Sequence, residues 1–467
     1  MAHLSLEDET AALLETLTYD NRAFSARYGG ASEGRQPIHT VYGGAQLFRS
    51  DLSKRLGDRA LAELDRWAPD AFTFARAVGL TGAEALPTKK KDKLPEEAGR
   101  AAWLATTVYD RVRRKLEREP VEDFRIDFED GFGIRPDEEE DAVAIVAAEQ
   151  VARGFTASTL PPFLGIRIKP LNEEHKRRAA RTLDLFLTTV VERLEGTLPA
   201  PFFVTLPKVQ VPAQVAVAAK LLDRLEQTLG LPPKSVGLEL MIELTQSLFD
   251  AQGRFLLPAL VDAAEGRCTG AHFGTYDYTA CNDITAAHQA MDHDACRLAL
   301  GLMKIAYSGT PIAVSDGATN VLPVPLHRGE DLKKRQRREN VEAVHRAWAL
   351  SYRHVRGSLE NGIYQGWDLH PAQLPVRYAA TYAFFLEGFD AAAARLSNFV
   401  DKAAQATLVG DVFDDAATGQ GLLNYFLRAL NAGAVTVEEL DATGLTREEI
   451  ATRSFAKILE GRGRPRP

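Results

Sequence analysis

Short apolar runs alternate with longer segments of helical spacing through most of the chain. The runs that predict strands lie near residues 37–44, 123–130, 163–170, 202–209, 237–244, 271–278, 311–316 and 362–369. Helical patterns follow many of them, at Asp141–Arg153, Glu174–Leu194, Ala213–Leu229 and Glu339–Arg356. Such alternation is typical of a parallel sheet covered by helices, and eight strands of this kind close a barrel. The pattern therefore predicts an α/β fold, a (β/α)8 TIM barrel.

One segment after the first strand breaks the alternation. Between about residues 45 and 122, Asp51–Leu64 and Glu96–Glu117 both have helical spacing of apolar residues. The lysine-rich segment 89–93 separates them. We predict a helical insertion over about 45–122, in which the lysine-rich segment is a solvated turn. A lid over an anionic substrate is the alternative for that turn.

The end of the chain also differs from the barrel pattern. After about residue 380 the apolar spacing is helical almost to the end. We therefore predict a barrel domain at 1–380, which includes the insertion, and a helical C-terminal extension at 381–467. Glycine, arginine and proline dominate residues 461–467, and that composition is typical of disorder.

Composition excludes several classes of protein. The chain has 467 residues, and 56 basic against 64 acidic residues give a net charge of −8, which gives no reason to expect nucleic acid or a membrane surface as partner. The three cysteines include no C-x-x-C pair, so neither a disulfide framework nor a thiolate zinc site is predicted. The acidic first 17 residues do not resemble a secretory signal, and no apolar stretch is long enough to span a bilayer. We predict a cytoplasmic enzyme.

Acidic residues stand at the ends of two successive predicted strands. Glu243 ends the run at 238–243, and Asp277 lies at the end of the run at 271–278. The carboxyl ends of barrel strands meet on one face, where these barrels place their active sites. Two carboxylates at neighbouring strand ends can share one hard divalent cation. The pair therefore predicts a metal site.

Six short motifs follow one another in the chain, each at a predicted strand end. They are Asp127-Phe128-Glu129-Asp130-Gly131, Arg167-Ile168-Lys169-Pro170, Leu206-Pro207-Lys208-Val209, Met241-Ile242-Glu243, Phe273-Gly274-Thr275-Tyr276-Asp277 and Leu369-His370-Pro371-Ala372-Gln373. In order and position this series resembles the citrate lyase β-subunit, malyl-CoA lyase and HpcH/HpaI aldolase superfamily. The resemblance implies a TIM barrel enzyme that forms an enolate. The insertion and the extension fall outside it.

The resemblance assigns Mg²⁺ or Mn²⁺ to Glu243 and Asp277, with water and two oxygens of a 2-oxo acid completing the shell. A hard cation chelated by a carboxylate and the adjacent keto oxygen polarises the carbonyl and neutralises an enolate. It also aligns Arg167 with an arginine that faces the enolate or carbonyl oxygen, where a guanidinium stays charged and donates two parallel hydrogen bonds. We predict two metal ligands and a catalytic arginine. Structural ion pairs are the alternative.

The acidic cluster after the second strand departs from part of the superfamily. The aldolase branch has a histidine general base where this chain has Asp130, whereas the citrate lyase branch has aspartate there. Crowded carboxylates raise one another's pKa, so we predict that Glu129 or Asp130 takes a proton or binds metal-bound water. Asp127 is predicted to bind substrate. Lys208 is predicted to belong to the catalytic residues. For this lysine, an ion-pairing role is slightly favoured over direct catalysis.

Two further residues are predicted to contact the substrate. Asp316 lies in the seventh strand, in a segment that resembles one placing an aspartate near the substrate in CoA-ester relatives. His370 precedes Pro371 in the last motif. Its ring either lines the pocket or caps and braces the turn, and the sequence favours neither.

These features predict a magnesium-dependent carbon–carbon lyase, or its condensing reverse, acting through the enolate of a 2-oxo acid or acyl ester. Its partners would be a small 2-oxo acid or acyl-CoA and further copies of the same chain in a homo-oligomer. One alternative is a phosphotransferase that uses phosphoenolpyruvate and pyruvate, because such barrels also bind an enolate oxygen through a metal, arginine and lysine. The other is a non-catalytic barrel used as a binding module.

Overall fold

Eight parallel strands close into a barrel. The computed structural model describes residues 7–30, 34–88, 94–401, 407–409, 412–414, 416–452, 457–458 and 461–462. The strands are β1 His39–Gly44, β2 Asp123–Asp127, β3 Phe163–Arg167, β4 Phe202–Leu206, β5 Val236–Ile242, β6 Cys268–Phe273, β7 Ala313–Ala318 and β8 Gln365–Asp368. Each strand pairs with the next in sequence, and β8 pairs with β1. The predicted (β/α)8 TIM barrel is confirmed.

Helices cover the outside of the barrel. In chain order they are α1 Glu7–Glu15, α2 Thr18–Arg27, α3 Leu52–Trp67, α4 Ala71–Val78, α5 Gly99–Arg118, α6 Asp137–Thr156, α7 Lys176–Arg193, α8 Pro212–Leu229, α9 Leu257–Asp262, α10 Thr275–Cys281, α11 Asp294–Tyr307, α12 Lys334–Glu360, α13 Leu374–Asp401, α14 Ala416–Asn431 and α15 Arg447–Ala451. A short antiparallel pair lies between α13 and α14, formed by β9 Thr407–Val409 and β10 Val412–Asp414.

The period of two along each strand decides which side chains enter the barrel. In β2, Phe124 and Ile126 are buried apolar residues, whereas the alternate positions are charged. Arg125 points inward, and its Nη2 donates to Oε2 of Glu239 on β5 at 2.8 Å. The interior of the barrel is therefore polar, and its apolar core lies between strands and helices.

Helices α3 to α5 form the segment predicted as an insertion. The ring centroid of Phe74 on α4 lies 5.6 Å from that of Trp348 on α12 and 5.9 Å from that of Tyr109 on α5. The segment is thus packed against the helical layer of the barrel. The lysine-rich turn predicted at 89–93 lies outside the described residues.

Helix α13 connects the barrel to the C-terminal extension without a break. It spans residues 374–401, so the predicted boundary at 380 falls inside it. Tyr378, Tyr382 and Phe385 are almost fully buried on this helix. The buried face therefore continues across the boundary, and the division at 380 remains a prediction. Residues 463–467, most of the predicted disordered end, lie outside the described residues.

The sixth strand is shorter than predicted. It ends at Phe273, and Thr275–Cys281 forms the short helix α10. The backbone N–H of Tyr278 donates to the carbonyl of Gly274 at 3.0 Å, which is a helical bond. Tyrosines at 276 and 278 favour a strand by propensity, but local hydrogen bonding overrides it. Asp277 therefore lies in the first turn of a helix, which corrects its predicted position at a strand end.

The structure adds two findings to the composition analysis. Among the described residues, no helix is both long and apolar enough to cross a membrane. The cysteines are free thiols, with Cys268 and Cys296 buried and Cys281 exposed.

Candidate functional site

The carboxyl ends of β2 to β6 bring seven charged side chains together. Five are carboxylates and two are cations, and each belongs to a sequence motif at or just beyond a strand end. Asp127 and Arg167 are the last residues of β2 and β3, and the others lie in the segments that follow β2, β4, β5 and β6. The cluster consists of Asp127, Glu129, Asp130, Arg167, Lys208, Glu243 and Asp277.

Arg167 is held in a bidentate pair with Asp127. Its Nε and Nη2 donate to Oδ1 and Oδ2 of Asp127 at 2.7 and 2.5 Å. The same carboxylate accepts the backbone N–H groups of Glu129 at 2.9 Å and Gly131 at 2.7 Å. Asp127 is 1% exposed, so all its hydrogen bonding is directed at the protein. This placement favours orienting Arg167 over the direct substrate contact predicted for Asp127.

The turn after β2 brings both remaining acids of this motif to the arginine. Oε2 of Glu129 lies 3.2 Å and Oδ2 of Asp130 lies 3.8 Å from Nη1 of Arg167. The strand ends at Asp127, so the alternation that would separate these acids no longer applies. Burial raises the pKa of Glu129, and the charge of Asp130 adds to that effect. Burial acts in the same direction on Asp130, but its hydrogen bond with Glu129 and the charges of Arg167 and Lys208 hold its pKa below the usual range.

Lys208 stands among four of the carboxylates. Its backbone N–H donates to Oε1 of Glu243 at 2.7 Å, and its Nζ contacts Glu129 and lies 3.4 Å from Asp130 and 3.5 Å from Asp277. Although burial opposes it, the charges of Glu243 and Glu129 raise the pKa of Lys208. The ammonium therefore stays charged, in agreement with the ion-pairing role that the sequence favours.

The backbone of Lys208 is in the left-handed region, with φ of 50°. A residue with a Cβ adopts this conformation at a cost, and such strain tends to occur at functional sites. Here it directs the N–H group of Lys208 at the carboxylate of Glu243. One residue thus contributes a backbone donor to one acid and an ammonium to three others.

Of the two predicted metal ligands, Glu243 is the more deeply buried. It is 1% exposed, whereas the side chain of Asp277 is 39% exposed. Burial raises the pKa of Glu243 to about 8, and the charge of Asp277 adds to this, against Lys208 and Arg167. The site as a whole has five carboxylates for two cations. Its donor set of hard oxygens and its excess of negative charge fit a divalent cation.

Within the part of the chain that the structure describes, no three histidine, cysteine or acidic side chains lie close enough to hold a metal by themselves. A pair of protein ligands completed by water and substrate oxygens, as the sequence predicts, is compatible with this finding.

Two predicted substrate contacts lie away from the cluster. The carboxylate of Asp316 accepts hydrogen bonds from Ser358 Oγ on α12 at 2.6 Å and from the backbone N–H of Gly317 at 2.7 Å. It lines a cavity of about 430 Å³ together with residues of α11 and α12. Asp316 thus faces the helical layer, because alternation along β7 turns Ser315 and Gly317 inward. This orientation favours a contact with α12 over the predicted substrate contact, which remains a prediction.

His370 caps the turn that follows β8. Its Nδ1 accepts the backbone N–H of Ala372 at 3.1 Å. Burial lowers the pKa of the ring, with Glu63 and Arg59 of α3 as the nearby charges. Of the two roles that the sequence left open, this geometry favours bracing the turn over lining the pocket.

Sequence reasoning missed the residues beneath the arginine. The guanidinium carbon of Arg167 lies 4.9 Å from the ring centroid of Tyr42 and 5.7 Å from that of Trp367. Its Nη1 lies 3.5 Å from Met241 Sδ. Tyr42 precedes the Gly43-Gly44 pair, and Trp367 precedes the last motif. Both occupy inward positions of strands, and that alternation was the signal available in the sequence.

Comparison with known families covers nearly the whole chain. The profile of a family described as a domain of unknown function, DUF6986, matches residues 17–458. The chain belongs to the DUF6986 family. The DUF6986 match includes the insertion and most of the extension as well as the barrel, so these segments are characteristic of the family. No curated protein matches the chain.

Solved structures resemble this DUF6986 protein to different degrees. A citrate lyase from Burkholderia xenovorans LB400 is 19% identical over 72% of this chain and 92% of its own, with a TM-score of 0.52. CitE from Mycobacterium tuberculosis, in complex with magnesium, acetoacetate and coenzyme A, is 15% identical over 85% and 99% of the two chains, with a TM-score of 0.44. A Haloferax volcanii malate synthase in a lead(II) complex is 15% identical over 73% and 88%, at 0.39. The likeness to the citrate lyase confirms the predicted resemblance at the level of the fold.

Substitution of Gly274 by alanine tests whether Mg²⁺ binding depends on the packing around Glu243. A Cβ on Gly274 would lie 2.5 Å from Glu243 Cβ and closer still to its Oε2, so the carboxylate has to move. We expect Gly274→Ala to weaken Mg²⁺ binding by about tenfold or more, the scale of a disturbed outer-shell contact. Calorimetric titration with Mg²⁺ measures this.

The matched control is Gly421→Ala on α14, where an added Cβ meets no atom within 4 Å. This variant should bind Mg²⁺ like the unmodified protein. Equal Mg²⁺ affinity in the two variants would argue against Glu243 as a ligand.

Proposed function

We propose that the protein is a divalent-metal-dependent carbon–carbon lyase that acts through the enolate of a 2-oxo acid or acyl ester. The observation that carries the proposal is the buried Arg167, fixed by Asp127 at the carboxyl end of the barrel. Lys208 lies in the same cluster, where its backbone N–H binds Glu243 and its ammonium lies 3.5 Å from Asp277. The fold shared with a citrate lyase and the six strand-end motifs support it.

Glu243 and Asp277 would hold Mg²⁺ or Mn²⁺. When bound, such a cation polarises a substrate carbonyl and neutralises charge that develops on its oxygen. The N–H of Lys208 fixes one of these carboxylates and its ammonium lies beside the other. The chain therefore orients both acids before any ligand enters.

Arg167 would bind the oxygen on which negative charge develops. Burial opposes its charge, but the carboxylate of Asp127 raises the pKa of the guanidinium, so Arg167 remains protonated. A donor fixed in a water-poor site stabilises a developing oxyanion without reorganising during the reaction. Asp127 supplies that fixation by engaging Nε and Nη2.

Asp130 and Glu129 differ in exposure and in the direction of their pKa shifts. Asp130 has a lowered pKa and a side chain that is 60% exposed, so it is ionised and accessible to a substrate. Glu129 has a raised pKa and is buried, and it contacts both Lys208 and Arg167. We assign proton removal from the substrate to Asp130, with Glu129 and Lys208 keeping it in place.

Exchange of substrate protons with solvent tests this function. With Mg²⁺ in D₂O, we expect the protein to exchange the methyl protons of pyruvate, or the α protons of an acyl-CoA ester, without added nucleotide. Proton NMR follows the loss of signal. Asp277→Asn should abolish the exchange, whereas Asp58→Asn on the exposed face of α3 should not.

Two other outcomes would replace the proposal. If no 2-oxo acid or acyl-CoA ester exchanges, but ATP and pyruvate yield phosphoenolpyruvate, the protein is a phosphotransferase. If neither reaction occurs and ligands still bind, it is a binding module. Light scattering tests the further proposal that the chain forms a homo-oligomer.

A further inference from the structure

Two aromatic rings form a floor beneath the guanidinium of Arg167. Tyr42 comes from β1 and Trp367 from β8, and their ring centroids lie 4.5 Å apart. The guanidinium carbon lies over both rings, 4.9 Å from the first centroid and 5.7 Å from the second. A cation over an aromatic face is attracted by the electron-rich ring, most strongly where water is scarce. The floor therefore opposes movement of the arginine away from the rings.

The floor and the carboxylates restrain different motions. Asp127 binds the edge of the guanidinium through Nε and Nη2. A planar bidentate pair sets the position of that edge, but it permits the two planes to tilt about the line between them. Contact with Tyr42 and Trp367 limits such tilting. Arg167 is thus restrained in plane by an acid and out of plane by two rings.

The hydroxyl of Tyr42 is itself fixed by a series of buried polar side chains. It lies 3.3 Å from Nδ1 of His272, and Nε2 of this histidine lies 3.2 Å from Oε2 of Glu239. Arg125 donates to that same oxygen through Nη2 at 2.8 Å and Nε at 3.1 Å. His272, Glu239 and Arg125 are all nearly fully buried. This series of side chains extends from beneath Arg167 into the interior of the barrel.

An ionised Glu239 holds these side chains together. Burial opposes ionisation of Glu239, but the charges of Arg125 and His272 hold its pKa below the usual range. Glu239 accepts the N–H of His272 at Nε2, and Nδ1 of the same ring lies within hydrogen-bond distance of the hydroxyl of Tyr42. The tyrosine is consequently anchored at its hydroxyl end as well as at its backbone, and its ring cannot swing freely.

We propose that Tyr42, anchored by His272 and assisted by Trp367, is a positioning residue that sets the orientation of Arg167 toward the substrate. The inference deepens the proposed lyase function and rests on it for its catalytic consequence. The structural consequence, the orientation of the guanidinium, does not depend on the reaction.

Two substitutions of Tyr42 distinguish the contribution of its ring from that of its hydroxyl group. Tyr42→Leu removes the aromatic face, and Tyr42→Phe keeps it. In the Mg²⁺-dependent exchange of pyruvate protons, we expect Tyr42→Leu to lower the maximal rate by about tenfold, the range of one desolvated cation–π contact. Tyr42→Phe should restore most of that rate. Mg²⁺ affinity measured by calorimetry should be unchanged in both, since neither change touches Glu243 or Asp277.

Controls guard against a general loss of stability. Tyr19→Leu makes the same chemical change at a residue 80% exposed on α2, and it should be silent. Trp367→Leu removes the other half of the floor, so it tests the same idea if Tyr42→Leu does not fold. A native exchange rate in Tyr42→Leu or Trp367→Leu, or an equal loss in Tyr42→Leu and Tyr42→Phe, would overturn the inference.

Crystal structures of the two Tyr42 variants decide the structural part independently. The guanidinium of Arg167 should be displaced in Tyr42→Leu and remain in place in Tyr42→Phe. If the unmodified protein exchanges no substrate protons, the proposed lyase function fails, yet these structures still show whether Tyr42 positions Arg167. An undisplaced guanidinium in Tyr42→Leu would refute the positioning role even if exchange occurs.

Discussion

Glu243→Gln and Asp277→Asn should each abolish Mg²⁺-dependent binding of pyruvate or of the enolate mimic oxalate, and leave the protein folded. Each substitution removes the carboxylate of one of the two protein ligands proposed for the metal. The loss should therefore exceed the 10- to 100-fold of a disturbed outer-shell contact, roughly 10² or more. In Glu243→Gln, the amide oxygen can still accept the N–H of Lys208, so the local backbone is preserved. Isothermal calorimetry measures the affinity, and circular dichroism measures the fold.

The control for both is Glu342→Gln, which removes a carboxylate from a side chain that is 52% exposed on α12. It should bind Mg²⁺ and oxalate normally. Unchanged metal affinity in the Glu243 and Asp277 variants would reject the metal site and leave these acids as partners of Lys208.

The second large effect should come from Arg167→Lys. Lysine keeps the positive charge but loses the planar fork that engages Asp127 through Nε and Nη2. We expect proton exchange to fall by about 10²- to 10³-fold, the scale of removing one oxyanion donor. Mg²⁺ binding should remain, because Arg167 is not a ligand. Steady-state exchange rates by NMR, combined with calorimetry, separate the two effects.

A surface arginine with similar geometry provides the comparison. Arg181 on α7 donates to both oxygens of Asp141 through Nε and Nη2, but its side chain is 60% exposed. Arg181→Lys should not alter exchange. If Arg167→Lys also exchanges at a near-native rate, the buried arginine is structural.

The sequence could predict the barrel because its information is local. Most of the strands carry buried apolar residues and stop at a polar motif, and each strand pairs with the next in the chain. The bidentate pair between Asp127 and Arg167 is harder to predict from the sequence. Asp127 and Arg167 are partners in the parallel register of β2 and β3, and register depends on how the strands align in three dimensions.

Asp316 and Asp277 lie in positions that the sequence pattern does not predict, for two different reasons. A shift of one residue along a strand reverses the face that a side chain occupies. Asp316 lies between two inward-facing residues, so it points to α12 although its neighbours in sequence face the barrel interior. The run at 271–278 predicts a strand that ends beside Asp277, whereas the helical bond from Tyr278 to Gly274 decides the position of this residue. Neither outcome follows from residue types alone.

The aromatic floor shows a different limit. Tyr42 reaches His272 across the barrel, from β1 to β6. Such a contact joins residues 230 positions apart, and only the closed barrel brings them together. A pattern of apolar and polar positions shows which side chains face inward, but not which of them meet.

The continuity of α13 has a consequence for how this protein can be divided. The helix leaves the last strand of the barrel and enters the extension as one rod, with Tyr378, Tyr382 and Phe385 buried along it. Arg100 of the insertion donates to the carbonyl of Leu386, which lies beyond residue 380 near the middle of the helix. A chain that ended at residue 380 would lack the buried Tyr382 and Phe385 and the carbonyl that accepts from Arg100, so the insertion would lose packing on this side. Barrel, insertion and extension are thus joined through a single helix.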